Sequence, residues 1–178
     1  LGNLGTAIAE NILQKQQQLF VYNRTSSRTQ PLIEKGATFC GSIKELSSSC
    51  DIVFSLVSDD AALNHITKGD DGIAQNLKAN GIHICMSTIL PVTASQLTEI
   101  HKQNNNHYIA APVMGRPETA RAGKLNFLVS GQKDIIEKIF HHESHLLCMH
   151  IQHRFHLSLG WNRIFGISFF HSDRAIII

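Results

Sequence analysis

Over roughly the first 140 residues, short apolar runs alternate with longer mixed segments. "LFVY", "DIVFSLV", "GIHICMS", "HYIAAPV" and "LNFLVSG" are apolar on successive positions, and "ATFC" is a shorter candidate of the same kind. Continuous β-branched runs of this length predict strands covered on both faces. Between them, "TAIAENILQKQQ" brings Ala7, Ile8, Asn11, Ile12 and Lys15 near one face at helical spacing. "QPLIEKG" places Pro31 near a helix start and Gly36 just past its end. "SIKELSS" carries Ser42 and Glu45 at capping-box spacing. "DDAALNHI", "GIAQNL", "PVTASQLTEIHKQ" (Pro91 in its first turn) and "QKDIIEKIF" complete the predicted helices. Strands alternating with helices predict an α/β fold, a doubly wound and mostly parallel sheet with helices on both faces.

The pattern stops after Phe140. Residues 141–178 hold seven of the 11 histidines, the single Trp, and acids at Glu143 and Asp173 alone. They show no clean helical or alternating period and close on "AIII". The division predicted is 1–140 for the α/β unit and 141–178 for a His- and Phe-rich tail. His150, His153 and His156 recur every third residue, but helical neighbours at that spacing rotate off one face. No carboxylate or thiol completes a ligand set, so no metal site is expected.

Composition narrows the class. Of 178 residues, 43% are hydrophobic, enough for a sizeable core. The formal net charge of +2 makes no electrostatic case for nucleic acid or a membrane surface. No apolar run is long enough to span a bilayer. Cys40, Cys50, Cys85 and Cys148 are scattered without a C-x-x-C pair, which suits reduced thiols in a cytoplasmic protein.

A parallel sheet of this kind binds ligands at the carboxyl ends of its strands, so the loops there carry the chemistry. The chain opens on "LGNLGTAIAEN", in which Gly2 and Gly5 have the spacing of the last two glycines of a G-x-G-x-x-G phosphate loop. A helix tip offers a phosphate its unpaired N–H groups and the positive end of the dipole. About twenty residues on, an NAD-type site places a carboxylate for the ribose hydroxyls. This chain has Asn23, Arg24 and Thr25 there. Arg24 can grip a 2′-phosphate in a two-pronged, charge-assisted contact, with hydroxyls from Thr25 or Ser26; otherwise it is a solvated turn residue. Asp59 or Asp60 is expected to cap a helix after "DIVFSLV". Ser87 and Thr88, after "GIHICM", are either ligand contacts or part of a turn leading into a helix. "AAPVMGRPETARAGKL" is read as a long loop, where Arg116 and Arg121 either meet an anionic substrate or are surface charge.

Taken together, "LGNLGTAIAENIL", "YNRT", "MSTILP" and "APVMGRPETARAGKLNFLVSG" resemble the β-hydroxyacid dehydrogenases from Leu1 to about Ile139. That family includes 3-hydroxyisobutyrate dehydrogenase and the NADP-binding domain of 6-phosphogluconate dehydrogenase, with imine reductases and semialdehyde reductases as similar relatives. The resemblance implies a Rossmann-type fold whose glycine loop is Gly2, Asn3, Leu4 and Gly5. It implies that Asn23, Arg24 and Thr25 hold the 2′-phosphate of NADP, that Leu56 and Val57 line the cofactor, and that Thr88 approaches the nicotinamide. Met114, Gly115 and Arg116 fall where the family often has Ser-Gly-Gly against the substrate carboxylate.

Two departures qualify the expectation. The family's first strand, with its first glycine, would precede Leu1. Its catalytic lysine, in a G-x-x-x-K-x-x-x-N setting, and its helical second domain, which builds the dimer, have no counterpart after Phe140. The reading is of a fragment missing the first strand, with a tail such as a shifted reading frame would produce. It would be an oxidoreductase domain with no catalytic residue of its own, acting in the intact family on a small hydroxy acid or semialdehyde. The competing readings are a non-catalytic nucleotide-fold module and a degenerate product.

Overall fold

The computed structural model describes residues 1–15 and 18–139 with their side chains, and beyond them the backbone of Phe140 and of three strands between 149 and 177. In chain order the elements are α1 (Asn3–Gln14), β1 (Gln18–Val21), a 3-10 turn (Ser26–Thr29), α2 (Gln30–Ile33), β2 (Thr38–Phe39) and α3 (Ile43–Ser48). Next come β3 (Ile52–Ser55), α4 (Asp60–Thr67), α5 (Ile73–Asn76), β4 (Ile82–Cys85), α6 (Pro91–Gln103) and β5 (His107–Ala110). The remainder are β6 (Val113–Met114), α7 (Pro117–Arg121), β7 (Asn126–Leu128), α8 (Lys133–Phe140), β8 (Met149–His153), β9 (Arg163–Ile167) and β10 (Arg174–Ile177).

Local chemistry explains many of these boundaries. Pro31 and Pro91 sit in the first turns of α2 and α6, where a missing N–H costs nothing. Gly36 follows α2 at a φ of +101°, open to glycine at little cost. The capping box forms as expected: the Glu45 N–H donates to Ser42 Oγ at 3.0 Å, and Glu45 Oε2 accepts from the Gly41 N–H at 2.7 Å.

Six strands form one parallel sheet in the order β2-β1-β10-β3-β4-β5. The Rossmann-type architecture expected from the sequence is therefore present. The place between β1 and β3 is taken by a strand from far along the chain. The backbone of Arg174–Ile177 lies between β1 and β3, with Ile176 opposite Phe20 on one side and Val53 on the other. Central N–H and C=O groups are thereby paired within the sheet.

The predicted "LNFLVSG" strand is β7, but it belongs to a second sheet in the order β6-β7-β8-β9. There β7 runs antiparallel to β6 and parallel to β8. The expected long loop over 110–125 is also more ordered than its Pro and Gly content suggested. Val113–Met114 forms a strand, and Pro117 opens α7.

Strands β1, β3, β4 and β5 feed two cores. Leu19 and Val21, Ile52 and Phe54, Ile82 and Ile84, and Ile109 face a cluster that includes Ile8 and Ile12 of α1 and Ile136 and Ile139 of α8. The intervening Phe20, Val53, Cys85 and Tyr108 face Leu46 of α3, Leu63 of α4 and Leu97 of α6. Burial on both sides is why these strands read as continuous apolar runs. Among the described residues, no helix is long and apolar enough to cross a membrane, and no disulfide joins Cys40, Cys50 or Cys85.

Candidate functional site

A cleft of about 900 Å³ opens at the carboxyl ends of the strands. Its walls are the tip of α1, the turn after β1 and the turn after β3. Gly2, Asn3, Leu4, Gly5, Asn23, Arg24, Thr25, Leu56 and Val57 all line it, so the structure gathers nine sequence-predicted residues into one place.

The α1 tip suits an anion. Gly2 is its N-cap and no side chain caps it, so the first-turn N–H groups keep their donor capacity for a ligand. A Cβ on Gly2 would meet nothing within 4 Å, leaving open space on that side of the backbone. Gly5 is buried instead, and a Cβ there would contact Leu56 Cδ2 at 3.6 Å, across the cleft floor.

The β1 turn supplies the positive wall. Asn23 accepts from the Leu1 amine through Oδ1 and donates through Nδ2 to Thr25 O at 2.9 Å, which orders the turn around Arg24. Arg28 lines the cleft as well. Sequence reasoning passed over it, although a second arginine in the same polar turn, "NRTSSR", was a usable signal.

The β3 turn forms the third wall. Asp59 is the cap of α4, its Oδ1 accepting from the Ala62 N–H at 2.8 Å. That bond, then one from the Ser58 hydroxyl, holds its carboxyl below the usual carboxylate range. Asp60 does something else: its Oδ1 accepts from the Leu90 N–H at 3.1 Å.

Other predicted residues lie elsewhere. Thr88 lines a separate hollow of about 410 Å³ with Ile89, Ala94, Tyr108, Pro112 and Ser130. Ser87 is 3% exposed and faces Val57 rather than open space. Met114, Gly115 and Arg116 do not line the cleft. Met114 is exposed, and Arg116 is the N-cap of α7. Gly115 has a local steric role: a Cβ there would come within 2.5 Å of Leu125 Cδ2, in a fully buried side chain. Arg121 Nε lies 3.7 Å from Glu10 Oε2 on α1, an ion pair that accounts for its position. His156 and the side chains of His150 and His153 lie outside the described residues.

Known proteins resemble this chain in sequence and fold. Residues 1–142 match the family model described as the NAD binding domain of 6-phosphogluconate dehydrogenase. The uncharacterized oxidoreductase YfjR of Bacillus subtilis (strain 168) is 39% identical over 131 residues, which are 74% of this chain and 46% of that protein. Cytokine-like nuclear factor N-PAC of Homo sapiens is 29% identical over 137 residues, covering 77% of this chain and 25% of its own. The chain thus spans less than half the length of either relative. Among solved structures, Psf3 in complex with NADP+ and 2-OPP superposes with a TM-score of 0.74 at 31% identity, covering 78% of this chain and 49% of that one. Mycobacterium tuberculosis 3-hydroxyisobutyrate dehydrogenase superposes at 0.72 with 18% identity over 78% of this chain and 46% of its own, a likeness of fold. With glycine-tipped helix, β1 turn and β3 turn converging on one cleft, this chain belongs to the NAD binding domain family of 6-phosphogluconate dehydrogenase, the pyridine-nucleotide-binding domain of hydroxyacid-dehydrogenase-like oxidoreductases.

Proposed function

We propose that the cleft binds NADP(H) in preference to NAD(H). One observation carries this: Arg24 and the uncapped tip of α1 line the same cleft, and the turn after β1 offers no carboxylate to repel a 2′-phosphate. Asn23, Arg24 and Thr25 would hold that phosphate, with Arg28 as a second cation. Gly2, Asn3, Leu4 and Gly5 would take the pyrophosphate, and Leu56 and Val57 would pack on the cofactor. The NADP+ held by Psf3 supports the same choice. When bound, the nicotinamide supplies or accepts hydride.

The nucleotide-binding unit assigned is residues 1–140. As part of a whole oxidoreductase it would serve hydride transfer to or from a small hydroxy acid or semialdehyde. Thr88, Met114, Gly115 and Arg116 are proposed to complete the nicotinamide and substrate side, with a second domain closing over them and forming the dimer. That arrangement would work in the cytoplasm. Taken by itself the chain should turn over negligibly, because general acid–base help worth about 10²–10⁴-fold is missing with the family's lysine.

Fluorescence titration with NADPH and NADH tests the assignment. Saturable NADPH binding is expected. Arg24→Ala should weaken it by ~10–100-fold, the scale of one lost charge-assisted contact, while weakening NADH much less. Equal losses for both cofactors would remove the 2′-phosphate role. The similarity to N-PAC, named a nuclear factor rather than an oxidoreductase, favours a second reading, a non-catalytic module that keeps the fold for partners. Absence of binding at millimolar NADPH would favour it.

A further inference from the structure

The turn after β3 and the turn after β4 leave adjacent parallel strands, and beyond the strand ends the backbone ladder stops. Its last rung is the Met86 N–H donating to Ser55 O at 2.8 Å. Past that point the two chains are still joined, through side chains. Ser87 Oγ accepts from the Val57 N–H at 2.7 Å and donates to Val57 O at 2.9 Å. One hydroxyl therefore satisfies both backbone polar groups of a cleft residue, using its single donor and one of its lone pairs. Three residues further along each turn a second tie forms, from the Leu90 N–H to Asp60 Oδ1. Ser87 is almost fully buried, and its two bonds to Val57 are partly buried.

The geometry points to Ser87 and Asp60 as positioning residues of the nucleotide cleft. Neither is assigned to touch the cofactor. Ser87 extends the β3–β4 ladder by one rung made of side chain, and Asp60 fastens the far end of the same two turns. Leu56, Val57 and Ser58, which line the same cleft as Arg24, are held in place before a ligand arrives. Affinity then gains because the wall is not ordered at the expense of binding. The Ser87 hydroxyl takes the Val57 N–H and one of the two lone pairs of its C=O, so Val57 meets the cofactor chiefly through its side chain. The two ties also fix the turn carrying Thr88 to the cleft wall, so the Thr88 side is coupled to nucleotide binding without lining the cleft.

This inference rests on the nucleotide reading of the cleft, and the experiment separates the two. NADPH titration and amide hydrogen exchange are run on the full chain and on Ser87→Ala, Asp60→Ala and Asp60→Asn. Ser87→Ala should weaken NADPH binding about tenfold and Asp60→Ala about threefold, each the loss of ordering rather than of contact. Asp60→Asn keeps an acceptor oxygen for Leu90 and should recover most of the loss. Exchange at Val57 should quicken in Ser87→Ala, and at Leu90 in Asp60→Ala, while Phe54 and Ile84 stay protected. That site-limited pattern distinguishes a loosened turn from a destabilised fold. Unchanged affinity in both alanine variants overturns the proposal, as does faster exchange spread over all strands. If the unmodified chain fails to bind NADPH, the nucleotide reading falls, and exchange at Val57 and Leu90 still decides whether the two turns are tied.

Discussion

The two faces of the main sheet are built from the same strands by opposite means. Toward α1 and α8 the core is apolar: Ile8, Ile12, Leu19, Val21, Phe54, Ile84, Ile109, Ile136 and Ile139 pack together. Buried Asn11 is tied off within it, its Nδ2 donating to Ala120 O. Toward α3, α4 and α6 a polar chain runs through the core. Asn106 spends both amide hydrogens on Ala74 O and Leu77 O, at 2.9 and 3.1 Å. Its Oδ1 must therefore accept from His101 Nδ1–H at 2.6 Å. His101 Nε2 then accepts from His83 Nδ1–H at 3.0 Å, and His83 Nε2 from the Ser55 hydroxyl at 2.7 Å. Every donor has one acceptor, and the order is satisfied only while both imidazoles are neutral. Among the described residues, the buried side-chain atoms Ser47 Oγ, Asn64 Oδ1, Thr67 Oγ1 and Tyr108 OH, which have no hydrogen-bond partner, also lie on elements of this face. One face tolerates nothing but shape; the other depends on protonation as well.

The largest effect should come from shape. Ile8 is 1% exposed, and Ile8→Ala should cost about 2–5 kcal/mol in urea unfolding, from lost transfer and an unfilled cavity. The loss should be nearly the same at pH 7 and pH 5, since the buried histidine pair packs on Tyr108 on the other face. A pH-dependent loss would break the distinction between the faces.

Acid should act on the other face. Burial, opposed by the Asn106 bond and aided by His107, lowers the His101 pKa from its ordinary 6.5 to about 4. Burial and then His101 lower that of His83 well below its ordinary value. Both groups are depressed bases, so the unfolded chain takes up protons first as pH falls. The stabilisation is whole above pH 6.5 and is lost toward pH 4, by about 3 kcal/mol for His101. Neighbouring groups offer no compensating charge of opposite sign: His107 repels, and burial keeps the Tyr108 phenol neutral. His101→Gln should flatten that limb relative to the unmodified chain. Equal acid sensitivity in both would detach the pH response from the relay.

The sequence announced these faces unequally. Continuous apolar runs reported that both sides of β3 and β4 are covered, because burial leaves its mark residue by residue. The relay was unreadable by the same logic. His83 stands inside "GIHICMS" as one polar residue in an apolar run, and its partners lie 18 residues away on α6 and 28 residues back on β3. The cleft was legible where local chemistry writes it, in the glycine-tipped helix and the Arg24 turn. It was not where tertiary placement decides. Asp59 and Asp60 were equally good caps on paper, and only the neighbouring turn distinguishes them by occupying Asp60. Thr88 follows its strand as expected, but its turn opens into the hollow beside Pro112 rather than the cleft. The central strand was hidden for another reason: Arg174–Ile177 is four residues long, and its place comes from backbone pairing with segments over a hundred residues distant.

The smallest effect should test whether the relay is directional. Ser55 is fully buried at the end of β3, and its hydroxyl is the last donor in the sequence running from His83 back to the cleft wall. Ser55→Ala removes that donor and leaves His83 Nε2 as a buried acceptor without a partner. Its cost at pH 7 should be about 1–2 kcal/mol, the range for one unsatisfied neutral group. In the unmodified chain the same hydroxyl can rotate to accept from Nε2–H once His83 is protonated, so the variant also loses the acceptor for that N–H. The variant should therefore lose at least as much additional stability as the unmodified chain as pH falls from 6.5 to 5. The same removal at the far end, Asn106→Ala, strands two carbonyls and a His101 N–H, and should cost more. If Ser55→Ala costs nothing at pH 7 in urea unfolding, His83 Nε2 does not depend on that donor, the order inferred from Asn106 is wrong, and the two faces differ in polarity alone.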